Sequence, residues 1–123
     1  MKVAVIGSRT LFVNDLENYL PPGVTELVSG GARGIDSCAE EYAERAGLPI
    51  RVFLPDYKEN GRQAPLLRNL EIIDYADRIL AFWDGESPGT AFVIREAERR
   101  GKPIEVIFLK GSHPPPKQLT LPL

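Results

Sequence analysis

Three short segments of this chain combine glycine with hydroxyl, guanidinium or carboxylate side chains, and each follows an apolar run. They are Gly7-Ser8-Arg9, Ser29-Gly30-Gly31-Ala32-Arg33-Gly34 and Asp84-Gly85-Glu86-Ser87-Pro88-Gly89-Thr90. These residue types suit an oxyanion. Glycine lets main-chain N–H groups approach a ligand, hydroxyls donate to it, and guanidinium groups pair with it. The expected phosphate-binding set is Gly7, Ser8, Arg9, Gly30, Gly31, Arg33, Gly34, Gly89 and Thr90. Thr90 has two roles open to it, capping a helix or donating its hydroxyl to a phosphoryl oxygen. Arg68 is a further candidate partner for the anion, and Asp84 and Glu86 are candidate acid or base groups, although a loop carboxylate beside glycine is commonly a turn residue. Trp83 and Tyr57 can each stack on a base or fill the core. Asp36 is expected to favour its helix N-terminus by charge.

Other chemistries lack their residues. The chain has one cysteine, Cys38, and one histidine, His113. That rules out an internal disulfide and a cysteine metal cluster, and it leaves a serine-histidine triad without a well-placed base. No metal and no cofactor are expected. Cys38 falls on the apolar stripe of a helix and is expected to be an unreactive core thiol. The formal net charge of −2 gives no overall attraction to a polyanion, so nucleic acid is not an expected partner. Arg9, Arg33, Arg62 and Arg68 can still gather locally. No apolar run is long enough for a membrane span, and Val3-Ala4-Val5-Ile6 is too short for a secretory signal. A cytoplasmic protein that does not enter membranes is the expectation.

The elements that must position these loops follow from the apolar pattern. Runs at Lys2–Ile6, Glu26–Ser29, Ile50–Phe53, Arg78–Phe82 and Ile104–Phe108 alternate with amphipathic stretches, the pattern of βαβ units. Most of these runs lack polar alternation, so both faces of a mainly parallel sheet should be covered by helices. Ile35, Cys38, Ala39, Tyr42, Ala43 and Ala46 recur at helical spacing before Gly47. Further helices are expected from about Pro65 through Ala76 and from Thr90 to Arg100, with a weaker one capped by Asn14 or Asp15 and carrying Leu16, Tyr19 and Leu20. Leu54 to Ala64 is read as one long, functional connection. The expected architecture is a three-layer α/β/α, Rossmann-like domain over residues 1–110. Its five-stranded sheet is expected in the order 3-2-1-4-5, with ligands at the C-terminal ends of the strands. Residues 111–123 read as a Pro-rich tail whose apolar end would suit a homo-oligomer such as a dimer.

Four segments together resemble the SLOG superfamily: Val5-Ile6-Gly7-Ser8-Arg9, Ser29 to Asp36, Arg68-Asn69, and Asp77 to Gly85 with Gly89-Thr90. That superfamily includes the LOG-type phosphoribohydrolases, the core of the DNA-processing protein DprA and small stand-alone nucleotide-binding domains. The resemblance spans about Val3 to Val106 and implies a nucleotide or nucleotide-like phosphorylated ligand. In LOG enzymes an arginine before the fourth strand and a glutamate after the Gly-Thr pair cleave an N-glycosidic bond. Arg68 matches the arginine and Val93 stands at the glutamate position. Val93 cannot handle a proton, so a nucleoside-monophosphate N-glycosidase would need Asp84 or Glu86 in its place. The DprA likeness implies a third alternative, a module for single-stranded DNA.

Overall fold

The computed structural model describes residues 1–110, so the Pro-rich tail expectation lies outside the described residues. Strands β1 (Lys2–Gly7), β2 (Glu26–Ser29), β3 (Ile50–Val52), β4 (Arg78–Trp83) and β5 (Ile104–Phe108) form one sheet in the order β3-β2-β1-β4-β5. Every pairing is parallel. The domain is α/β with helices on both faces of the sheet, as the alternation predicts. The strands end within one residue of the predicted runs: β1 and β4 each extend one residue further, and β3 stops before Phe53.

Strand periodicity separates two apolar layers. Val3 and Val5 of β1, with Leu27, Leu80 and Phe82, pack against Ile35, Ala39 and Ala43 of helix α1 (Ile35–Ala46). The alternate residues Ala4 and Ile6, with Val28, Ile79 and Ala81, face the opposite side. There they meet Ile72 and Ile73 of α3 (Ala64–Tyr75) and Val93 and Ala97 of α4 (Pro88–Arg99). A strand buried on both sides must be apolar throughout, which is why Val3 to Ile6 carries no polar alternation.

Two connections differ from expectation. The stretch after β1 holds only a 3-10 turn at Leu16–Asn18, and Asp15 makes no side-chain cap there. Leu16 and Leu11 are buried, so the segment is held by its apolar side chains instead of by helical hydrogen bonds, and Pro21-Pro22 bars extension. The long connection after β3 is not irregular: it contains α2 (Tyr57–Asn60) and a 3-10 turn at Gly61–Gln63. Asp56 starts α2 by accepting the Glu59 amide at 3.0 Å. No helix among the described residues is long and apolar enough to cross a membrane.

Candidate functional site

From β1 the chain steps outward to β2 and β3, then crosses back to lay β4 and β5 on the other side of β1, and a crevice opens above the strand C-termini at such a reversal. A cavity of about 350 Å³ lies there. Its walls come from Ile6 to Thr10 at the end of β1 and just beyond it, Ala32 before α1 and Asp36 in its first turn, Pro65, Arg68 and Asn69 on α3, and Ser87 to Thr90 at the start of α4.

Local hydrogen bonds fix the first and third loops against each other. Ser8 extends the ladder past β1 by donating its amide to the Phe82 carbonyl at 3.1 Å, and its Oγ accepts the Asp84 amide at 3.2 Å. Asp84 in turn closes its own loop. Its carboxylate accepts from the amides of Glu86 and Ser87 at 2.9 and 2.8 Å and from the Ser87 hydroxyl at 3.0 Å. Burial opposes ionisation of Asp84, but those donors outweigh it, together with the Ser8 hydroxyl, and hold its pKa at about 2. The Ser87 hydroxyl is thereby spent, and α4 begins without a side-chain cap. Its first position is Pro88, which has no N–H, so the amides of Gly89 and Thr90 are its unpaired donors. The Thr90 side chain, 5% exposed, makes no hydrogen bond within the described residues.

The second loop behaves differently. A Cβ on Gly30 would lie 2.7 Å from Arg68 Nη1 and 3.0 Å from Asp36 Oδ2. The space that glycine opens there is filled by the chain itself. Arg68, a buried residue, donates Nη1 to the carbonyls of Gly30 and Phe53 and Nε to Asn69 Oδ1. Nη2 has no acceptor among the described residues, and Arg68 lines the cavity. Burial draws the guanidinium below its ordinary value while Asp36 supports its charge. Gly34 has φ +72°, and a Cβ there would sit 2.6 Å from the carbonyl oxygens of Ser8 and Arg9. Glycine is what lets the start of α1 close onto the end of β1.

Asp36 was expected to favour the helix start, and it does accept the Ala32 amide at 3.1 Å through Oδ2. Burial is the main influence on it and raises its pKa from 3.8 to about 6, against the Ala32 hydrogen bond, the Arg68 charge and the nearby Gly30 amide, with Glu40 pushing the same way as burial.

Of the expected site residues, the cavity brings together Gly7, Ser8, Arg9, Arg68, Gly89 and Thr90. Gly30, Gly31, Arg33 and Gly34 lie outside its lining, as do Asp84, Glu86, Trp83 and Tyr57. Gly31 neighbours Leu54, Arg33 and Glu86 are exposed, and Tyr57 is 58% exposed on α2. Trp83 donates Nε1 to the Ser87 carbonyl at 3.1 Å, bracing the third loop from behind. Sequence reasoning did not name Thr10, Pro65, Asn69 or Ser87 as lining residues, nor the buried, unpaired Oδ1 of Asp36. Asn69, next to Arg68, is the one that the motif reading came near. Cys38 is half-buried, accepts the Val13 amide at 3.3 Å, and has its thiol pKa raised by burial. The described residues contain no cluster of three or more His, Cys, Asp or Glu side chains able to hold a metal.

Comparison with known proteins gives one relative to set beside this geometry. The Gene 61 protein of Mycobacterium phage D29 is 37% identical over 84 residues, a match that takes in 63% of this chain and 67% of the relative. The chain belongs to the Gene 61 protein family. No family model matches it. No solved structure matches it either.

Proposed function

We propose that this cavity binds a nucleotide or a nucleotide-like phosphorylated ligand, with the phosphoryl group at the N-terminus of α4. One observation carries the reading: the Arg68 guanidinium, buried and fixed to two carbonyls, lines the same cavity as the uncapped first turn of α4. A buried guanidinium with an unused N–H₂ edge and two helix-end amides are complementary to an anion. Arg9 and Arg68 set two positive charges in the lining against the single carboxylate of Asp36. A volume of about 350 Å³ is at the small end of ligand pockets, which run from about 300 to 1,000 Å³, and suits one small ligand. The supporting residues are Gly7, Ser8, Arg9, Gly89 and Thr90, with Ser8 serving as a strut to Asp84.

Isothermal titration of the folded protein with a panel of mononucleotides tests this reading. Saturable binding that is lost on Arg68→Met is the expected result, and no heat from any member of the panel would end it. Glycosidic cleavage is less well supported, because Asp84 is held ionised by its own loop and lies outside the cavity lining.

A further inference from the structure

Strand β5 forms an outer edge of the sheet, with β4 as its one neighbour among the described residues. Ile79 donates its amide to the Pro103 carbonyl, and Leu109 donates its own to the Trp83 carbonyl, both at 2.9 Å. Main-chain groups alternate in direction along a strand, so those of Pro103, Glu105, Ile107 and Leu109 turn toward β4 and those of Ile104, Val106 and Phe108 turn outward. The latter three also share a face. Ile104 packs there against the layer of Ile79 and Val93, while Val106 and Phe108 are 40% and 61% exposed. Sheet edges are commonly blunted by lysine, proline or a bulge. This one reads Ile-Glu-Val-Ile-Phe, and its single charge, Glu105, lies on the opposite face. Such an edge is a template for a further strand.

The chain continues for thirteen residues past Lys110 and ends in Leu119-Thr120-Leu121-Pro122-Leu123. Leucine at every second position is the pattern of a strand with one apolar face. Proline has no N–H to give, so it fits an edge strand only where that side turns away from the neighbour. Together the two features select one arrangement. In an antiparallel pair, residues directly opposite each other share a face, and those whose main-chain groups turn toward each other form the hydrogen-bonded pairs. Leucines on the Val106 and Phe108 face would then bond to β5, and Pro122 would turn its missing donor outward. A parallel strand with the same leucine face would aim Pro122 at β5 and lose a bond. The connection agrees: ten residues separate Phe108 from Leu119, enough for an antiparallel return but short of the dozen or more that a parallel crossover needs. We propose that residues 119–123 add to β5 of their own chain as an antiparallel sixth strand, with Leu119 opposite Phe108, Leu121 opposite Val106 and Leu123 opposite Ile104. The apolar end is then used within the chain and not for a second copy.

Backbone hydrogen exchange in the full chain, read residue by residue, tests the proposal, because β5 carries its own control. The Leu109 amide is bonded to β4 in any case, whereas the amides of Val106 and Phe108 gain an acceptor only from an added strand. Both should exchange at least about tenfold more slowly than a solvated amide, at a rate independent of protein concentration. Exchange at the solvated rate would overturn the proposal. Protection that grew with concentration would overturn it too, by giving the edge to a second copy. Leu121→Asp places a carboxylate on the apolar face and should return Val106 and Phe108 to fast exchange while Leu109 stays slow. A variant in which all three stayed slow would show that something other than residues 119–123 covers β5.

Discussion

The turns that follow β2 and β4 both run through glycine into a helix, yet they end differently. After β2, the room opened at Gly30 is taken by Arg68 and the room at Gly34 by the backbone of Ser8 and Arg9. After β4, a Cβ on Gly89 would meet nothing within 4 Å, and the first turn of α4 keeps its amides unpaired. A glycine-rich turn thus marks a close approach, but it does not say who approaches. In this molecule the first turn receives the protein's own cation and the second stays open to a visitor.

Replacing Arg68 by methionine should have the largest effect. It removes the donor to the Gly30 and Phe53 carbonyls, and leaving those two buried acceptors unpaired should cost about 2–4 kcal/mol. Urea denaturation would measure this, and a loss under 1 kcal/mol would mean that Arg68 is not the filling of the β2 turn. Gly34→Ala comes next. With φ +72° and both carbonyls 2.6 Å from the new Cβ, strain and overlap should together cost about 3 kcal/mol. A mild effect would show that α1 can back away from β1.

Asp36→Asn should act in the opposite direction. A carboxyl whose pKa rises from 3.8 to about 6 on folding supports the fold fully below pH 4, and that support is lost as pH climbs through 6. The variant should therefore match the parent at pH 3.5 and exceed it at pH 8 by about 3 kcal/mol. A parent protein whose stability did not fall between pH 4 and 6 would contradict a buried, unpaired carboxylate. The smallest effect is expected from Asp84→Ala, about 1 kcal/mol, the usual value of a capping side chain. Because the Asp84 pKa is lowered to about 2, its contribution is present above pH 4 and fades as pH falls toward 2. Thermal melts across that range would detect it.

The sequence carried most of the architecture, because burial on both faces writes itself as unbroken apolar runs such as Val3 to Ile6 and Ile79 to Phe82. The strand order followed from the handedness and adjacency of βαβ units. The site was legible only in part. Gly7, Ser8, Arg9, Gly89 and Thr90 are local to the strand ends, and local types announced them. What fills Gly30 was hidden, since Arg68 arrives from 38 residues away, and no short-range pattern encodes that distance. The burial of Asp36, with Oδ1 unpaired among the described residues, was hidden for the same reason: helix-start aspartates look alike until their neighbours are known. Helix α2 was missed although Asp56 and Glu59, three apart, form a start signal.

Arg68 was described above as a filling, but its attachment has a kinetic side. A long cationic side chain on a surface samples many rotamers, and a ligand that captures it must freeze them, at roughly 0.5–1.5 kcal/mol for each such side chain. Here β2 and the segment after β3 have already done the freezing, through the carbonyls of Gly30 and Phe53. If the proposed phosphorylated ligand binds there, it meets a side chain that is already held, so its capture should proceed without rearrangement of that arm, in a single kinetic phase.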